Sequence, residues 1–274
     1  MAVLLALAAC TGPPPAADTL FQDARALAVT PDGTLWVVDA DAVLALRDGR
    51  IVQRIGGVGT GDDAFLDPVD VDPTNGQTIY VADRAAGAIL QFTAEGRLVR
   101  SIPVPDVDPA DVVRQRPSSR LGQPVAVAAG TGGALYIAEA GRGHVLELDA
   151  EGAVVRVLGP GLIEEPVDLA VDDDGTLWVA DAGFPKLKAF DPFGSPGAVV
   201  QLGAEVGRLT SVSITPTGYV VAGDAVVTYC LDMEPGRISV HEVRQRVLGA
   251  VVVGGRLIGL TPTDLADLGP FDVD

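Results

Sequence analysis

The sequence predicts an all-β chain, a six-bladed β-propeller of four-stranded antiparallel blades, and three observations predict it. One phrase recurs along the chain. Inside each copy apolar residues alternate with other residues. The 33 Gly and 20 Pro among 274 residues suit many short strands and turns better than helices. The clearest copy is Pro166 to Phe190, PVDLAVDDDGTLWVADAGFPKLKAF. There Val167, Leu169 and Val171 alternate with Asp168, Ala170 and Asp172, the period of a pleated strand. Asp173-Asp174-Gly175 supplies a tight turn, Thr176 to Ala180 a second strand, Lys186 to Phe190 a third and Ala198 to Leu202 a fourth.

In chain order the phrase reads ARALAVTPDGTLWVVDA from Ala24, DPVDVDPTNGQTIYVADR from Asp67 and QPVAVAAGTGGALYIAEA from Gln123. After the clearest copy it returns as LTSVSITPTGYVVAGDA from Leu209 and, degenerate, as VLGAVVVGGRLIGLTPTD from Val247. The acidic residues closing the second strands, Asp39, Asp83, Glu139, Asp181 and Asp224, are separated by 44, 56, 42 and 43 residues. A period of about 40 to 50 residues marks a radial array of four-stranded sheets. The last copy offers three strands, Val247 to Val253, Arg256 to Thr261 and Asp264 to Leu268. Thr19 to Gln22 is expected to add the fourth, removing the free edges between first and last blades.

Proline, alternating apolar residues, an aspartate or glycine turn and then Leu-Trp/Tyr-Val-Ala-Asp resemble the NHL-repeat β-propellers, over about Ala24 to Leu260. The resemblance implies the fold. On activity it is open, because similar blades carry scaffolds, amidating lyases, gluconolactonase-like enzymes and bacterial surface proteins.

Upstream of the repeats, Leu7-Ala8-Ala9-Cys10 matches the lipobox of bacterial lipoproteins. Residues 1–9 then read as a signal peptide, being too few for a bilayer span of about 20 residues. Cys10 reads as the lipidated residue, and TGPPPAAD, from Thr11 to Asp18, as a polyproline tether. Residues 19–274 form the propeller. Thr11 after Cys10, where aspartate would retain a lipoprotein, resembles the signal for delivery to the outer membrane. The expected address is the bacterial cell envelope, with the membrane contacted through the lipid and the body monomeric.

A net charge of −18 argues against nucleic acid or anionic lipid as partner of the body, since phosphate binding needs concentrated positive charge. With Cys10 acylated, the second cysteine, Cys230 in the apolar run VVTYCL, reads as a buried thiol.

Loops sort by face. In an antiparallel blade the first-to-second and third-to-fourth turns share one face, and here they are tight, as in Asp32-Gly33, Asp48-Gly49 and Glu151-Gly152. The second-to-third turns and the blade-to-blade connections share the other face. They carry the length, above all in the insertion Pro103 to Gln123, and long loops on a rigid scaffold are where binding concentrates. That insertion holds Arg114, Arg116 and Arg120, with Arg84, Arg142 and His144 on neighbouring turns. These six are the candidate binding residues, suited to an acidic protein or peptide partner. The bland alternative pairs the arginines with Asp106, Asp108, Asp111 and Glu139.

No catalytic residue is assigned and no cofactor is expected, although a divalent metal is weighed. The strand-end carboxylates read as structural acceptors of N–H groups from the turn that follows each of them. Asp172-Asp173-Asp174-Gly175 lacks the downstream glutamate of a calcium loop, and Asp106, Asp108 and Asp111 are a weak oxygen cluster. The two histidines, His144 and His241, occupy non-equivalent repeat positions, which rules out a three-histidine zinc site and opposes a shared acid–base pair. The function read from the sequence is a binding or scaffold module for protein or peptide. The alternative is a divergent metal-dependent propeller hydrolase or lyase with an acidic site at the channel mouth.

Overall fold

A computed structural model of the chain describes residues 19–57, 64–74, 76–110, 120–183, 185–202, 206–215, 218–223, 228–232 and 239–271. The first sheet holds β1 (Ala24–Val29), β2 (Leu35–Asp39), β3 (Ala42–Arg47) and β4 (Arg50–Gly56), paired in that order. The second holds β5 (Pro68–Asp72), β6 (Thr78–Asp83), β7 (Ala88–Thr93) and β8 (Leu98–Pro103). The third holds β9 (Pro124–Ala129), β10 (Leu135–Glu139), β11 (Val145–Leu148) and β12 (Val154–Leu158). The fourth is built from β13 (Pro166–Val171), β14 (Leu177–Asp181), β15 (Lys186–Phe190) and β16 (Pro196–Gln201). The fifth takes β17 (Leu209–Ile214), β18 (Gly218–Gly223), β19 (Thr228–Asp232) and β20 (Ser239–Val243). A last sheet has β21 (Gly249–Val253), β22 (Arg256–Leu260) and β23 (Leu265–Pro270).

Each sheet is an antiparallel meander whose first strand is innermost. Those first strands pack in a closed circle, β1 beside β5, β5 beside β9, and so on to β21, which returns to β1. The chain is therefore an all-β propeller of four-stranded antiparallel blades, five of them complete. The uniform expectation of four strands per blade fails at the last sheet, which has three.

Because the sheets are sandwiched, both faces of the described middle strands are largely buried, and one apolar cluster lies between each pair of neighbours. Trp36, Val38, Ile55, Phe65, Ile79 and Phe92 fill the space between the first two sheets. Phe65 and Phe92 meet edge to face with centroids 5.6 Å apart. Gly56, at φ +75°, lets the Phe65 ring fold back, since a Cβ there would stand 2.5 Å from that ring.

The segment before β1 does not add a strand. Phe21 N–H donates to Thr263 O and Ala24 N–H to Pro262 O, both at 3.0 Å, so the segment is tied to the turn between β22 and β23. Its contribution to closure is a side chain. Phe21 is buried among Ala24, Val37, Leu44, Leu46 and Leu260, at the junction of the first and last sheets. Extending Thr19 to Gln22 along β23 would pull that ring out of the core, and burying a phenylalanine is worth about 1.5–3 kcal/mol.

Among the described residues no helix is long and apolar enough to cross a membrane. Cys10 and the tether lie outside the described residues.

Candidate functional site

The carboxylates that close the second strands are structural, as expected, but most of their donors lie in the chain entering each blade and fewer in the following turn. Asp39 accepts the N–H groups of Gln22 and Asp23 at 2.9 and 2.7 Å. Asp83 accepts those of Leu66 and Asp67 at 2.7 and 3.0 Å, and Asp181 those of Glu164 and Glu165 at 3.1 and 2.9 Å. The pairing explains this, because Ala24 sits opposite Asp39, Pro68 opposite Asp83 and Pro166 opposite Asp181. Each carboxylate thus faces the chain just before the first strand, where N–H groups have no ladder partner. The following turn adds single bonds, from Ala86 to Asp83 and from Gly183 to Asp181. Asp224 lies outside the described residues.

In the third sheet glutamate replaces aspartate at this position and the arrangement changes. Glu139 reaches over Gly122, where a Cβ would stand 1.8 Å from Oε1. Its Oε2 lies 3.7 Å from His144 Nε2, both atoms are buried, and neither has a hydrogen-bond partner. His144 is thus a buried neighbour of Glu139 and presents no surface to a partner. His241 is on β20, the outermost strand of the fifth sheet, so the fold does not bring the histidines together.

The loop-rich face is assembled as the spacing of the turns predicts. Arg84 pairs with Asp67 at 2.7 Å, and Arg142 pairs with Asp106 in the insertion. Arg120 is held into the same loop by its carbonyl, which accepts the Asp106 N–H at 3.0 Å. Arg25 reaches Asp67 from the other side at 2.6 Å. Burial pushes the Asp67 carboxyl up, and the two guanidinium groups outweigh it and hold it below the usual range. Arg114, Arg116 and Asp111 lie outside the described residues. Asp108 accepts the Ala110 N–H at 2.8 Å, and Asp106 carries the pair with Arg142.

These pairs are layered. Arg84 is 45% exposed above Asp67 at 23%, and Arg142 40% exposed above Asp106 at 23%, so the guanidinium groups face outward with the carboxylates beneath. Around them stand leucines that sequence reasoning missed: Leu66, Leu121 and Leu162, exposed by 73, 58 and 51%. Leu66 precedes the Asp67 partner of Arg84, and Leu121 covers Gly87 in the turn that Arg84 opens. The signal available in the sequence was an apolar residue shortly before each of Pro68, Pro124 and Pro166.

A second concave region lies on the axis. The first strands of all six sheets enclose a cavity of about 300 Å³ whose wall carries Asp70, Asp72 and Asp168. Asp70 and Asp168 occupy the same repeat position, two residues after a proline, and each reaches across to the next first strand. Asp70 accepts the Val127 N–H and Asp168 the Val212 N–H, both at 2.8 Å. Burial pushes all three carboxyls up, the Val127 and Val71 N–H groups pull Asp70 partly back, and the charge of Asp72 raises it again, to about 7. The Oγ1 of Thr210 and the Oγ of Ser211, residues of the same wall, have no partner.

Among the described residues no three His, Cys, Asp or Glu side chains converge where an ion could sit. Asp172 is engaged as a hairpin acceptor, taking the Trp178 Nε1–H at 3.0 Å and the Thr176 N–H at 2.9 Å, which replaces the calcium-loop alternative.

No protein-family model and no curated protein matches the chain. Solved structures do. Virginiamycin B lyase from Staphylococcus aureus is similar with a TM-score of 0.63 at 14% identity, over 92% of this chain and 81% of that one. A streptogramin B lyase gives 0.61 at 14% identity over 94% and 87%, and a protein of unknown function from Bacteroides caccae gives 0.57 at 16% over 82% and 81%. At such identities the likeness is one of fold, and the fold is the β-propeller.

Proposed function

We propose that the chain is a cell-envelope lipoprotein, anchored through lipid on Cys10 and sorted to the outer membrane, whose propeller is a binding and scaffold module. In this reading the three-stranded sheet is an incomplete sixth blade of an NHL-like ring, and the partner is a protein or peptide taken on the loop-rich face. The carrying observation is the layer of outward guanidinium groups among exposed leucines around the Arg84 turn. Exposed apolar side chains grouped on one face mark interaction surfaces, arginine is enriched among interface hot spots, and a guanidinium engaged by one carboxylate keeps donors for another.

Capture of a partner from envelope extract should fall about tenfold or more in the Leu66→Ser, Leu121→Ser double variant, as hot-spot losses above about 1 kcal/mol each imply. The Arg114→Ala, Arg116→Ala, Arg120→Ala variant should weaken capture as well, with folding intact because loop charges add little stability. Undiminished capture by both, together with loss on changing the tight-hairpin face, overturns the assignment. Independently, Cys10→Ser should move the protein from the membrane to the soluble fraction; persistence in the membrane fraction refutes the anchor.

A second reading, a propeller hydrolase or lyase, is favoured by the axial carboxyls, because a carboxyl held near neutrality suits proton transfer. Its metal-dependent form lacks a ligand set among the described residues. In it Asp70 and Asp168 would work as acid and base on a substrate small enough for the channel.

A further inference from the structure

The rim of the propeller is made of the outermost strands, and all but one carry charge: Arg50 and Arg54 on β4, Arg100 on β8, Arg156 on β12, Glu242 on β20 and Asp267 on β23. Charge on an edge strand keeps other strands from adding to it. The exception is β16, PGAVVQ, in which every residue but Val200 is exposed, Val199 by 59%. Residues 192–204 include no charged side chain. Phe193, in the turn that opens β16, is exposed by 83%.

The other sheets show how the rim is ordinarily finished. Gln53, Arg100 and Arg156 stand opposite Ala45, Gln91 and Glu147, and each reaches the third-to-fourth turn of the next sheet, at Ala94 O, Ala150 O and Pro192 O over 3.0, 2.7 and 3.0 Å. In the fourth sheet Val199 stands opposite Lys188 as Ser101 does opposite Leu90, so the residue answering to Arg100 is Ala198. It has neither the length to reach across nor a charge to repel. The backbone beside it is open as well. Leu202 N–H donates inward to Pro185 O at 3.1 Å, so by the alternation of an antiparallel pair Gln201 and Val199 turn their N–H and C=O groups outward. β16 ends its sheet, and among the described residues no further strand meets those groups. Toward the other end Pro196 lacks an N–H and the register with β15 shifts, which confines the open stretch to residues 198–201.

Charge decides what covers that stretch. Each chain carries −18, so two copies repel over most of their surface, and an uncharged rim strand is where they approach most easily. A strongly charged partner finds no counter-charge there. A second copy brings the same small, uncharged side chains, and an antiparallel edge is its own complement about a two-fold axis.

We propose that two copies of the chain pair through β16, antiparallel about an axis at Val200, with Val199 of each copy opposite Gln201 of the other. The two pairs exchange about four backbone hydrogen bonds, and each Phe193 lies beyond an end of the paired strands. An edge contact of this length buries less than the roughly 800 Å² per partner of a standard interface, so the dimer is weak, with a Kd of about 10 μM. The monomeric body expected from the sequence is then its dilute form. The contact is on the rim, so it stands or falls apart from the loop-rich face.

Sedimentation of the full chain carrying Cys10→Ser, which takes any lipid out of the question, should pass from monomer to dimer between about a tenth of that Kd and about ten times it. Hydrogen exchange at Val199 and Gln201 should slow at the higher concentration, with β8 unchanged. Val199→Lys and Ala198→Arg, both at exposed positions, should each raise the Kd at least about tenfold, since each restores the charge that the other rim strands carry. Val99→Lys on β8, also exposed, should leave it unchanged. A chain still monomeric at about ten times the expected Kd, a dimer that both β16 variants leave intact, or growth beyond the dimer overturns the proposal, because a self-paired edge is used up in two copies. If a variant fails to fold, wild-type sedimentation and exchange still decide.

Discussion

Asp181→Ala should cost about 3–5 kcal/mol, the usual loss when one partner of a buried ion pair is removed, and lower the melting temperature by about 10 °C. Asp181 is buried, and its Oδ2 meets the ammonium of Lys188, itself buried, at 2.5 Å. Lys188 also donates to Leu162 O, so the same charge ties the fourth sheet to the connection entering it. Removing the carboxylate strands that ammonium and leaves the Glu164, Glu165 and Gly183 N–H groups without their acceptor. Burial pushes the Asp181 carboxyl up, but Lys188 and the two N–H groups upstream prevail and hold it below its ordinary 3.8. The sign follows. A depressed folded value adds stability that is present above the ordinary carboxylate value and is lost as pH falls below it, so the gap between wild type and variant narrows in acid. Asp39→Ala is the control, because Asp39 serves two N–H groups and no ammonium, and its loss should be nearer 1–3 kcal/mol. Adding Lys188→Met to Asp181→Ala should recover much of the deficit, and equal melting temperatures for Asp181→Ala and Asp39→Ala would show that the ammonium is already paid for by solvent.

Asp181 also shows how far the sequence could be read. Its recurrence with Asp39, Asp83 and Glu139 located the second strands, because a repeat that cannot bury its faces alone must present the same pattern each time. Which N–H groups those carboxylates serve depends on antiparallel pairing, which places the end of β2 or β14 beside the start of β1 or β13. Spacing along the chain suggests the nearer turn instead. Phe21 escaped for a related reason, since a lone aromatic before the first repeat has no periodicity and its burial is decided by where the ring of sheets closes. Edge chemistry was read as strand addition when the first and last sheets are joined by β21 packing on β1 and by the apolar cluster around Phe21.

The candidate site was legible in outline only. Turn lengths located the loop-rich face and its arginines, because hairpin geometry fixes which connections share a side. Exposure is a tertiary property, so Leu66, Leu121 and Leu162 looked like ordinary core residues beside a strand. The axial carboxyls were visible as the polar half of an alternation, Asp168 between Val167 and Leu169, and there alternation misleads. In a half-wet sheet the polar half faces solvent, whereas the first strand of a blade turns it toward the axis and the neighbouring blade.

That placement carries the other large effect: Asp70→Asn and Asp168→Asn should each stabilise the chain at pH 8, Asp70→Asn by about 5 °C, and leave it unchanged at pH 3. Each carboxyl is harder to ionise folded than unfolded, where its ordinary value is 3.8. Below that value both states keep the proton and nothing is lost. As pH rises past it the unfolded chain releases the proton while the folded chain holds on, for Asp70 until about 7, so stability falls across that window and stays lower above it. At Asp70 a shift of that size corresponds to about 4 kcal/mol at the limit, and because the carboxyl keeps part of its surface on the channel, solvent reduces this to about 2 kcal/mol. Asparagine keeps the oxygen that accepts the Val127 or Val212 N–H, so the stitch between neighbouring first strands survives and only the buried charge is removed. The two single gains should not add fully, since the charge of Asp70 raises Asp168 and removing either relieves the other. Thermal melts from pH 3 to pH 8 decide the matter. Asparagine variants that track the wild type at every pH, or that lose stability at pH 8, would mean that the folded channel holds these groups ionised and compensated, as it would if a cation occupied the axis.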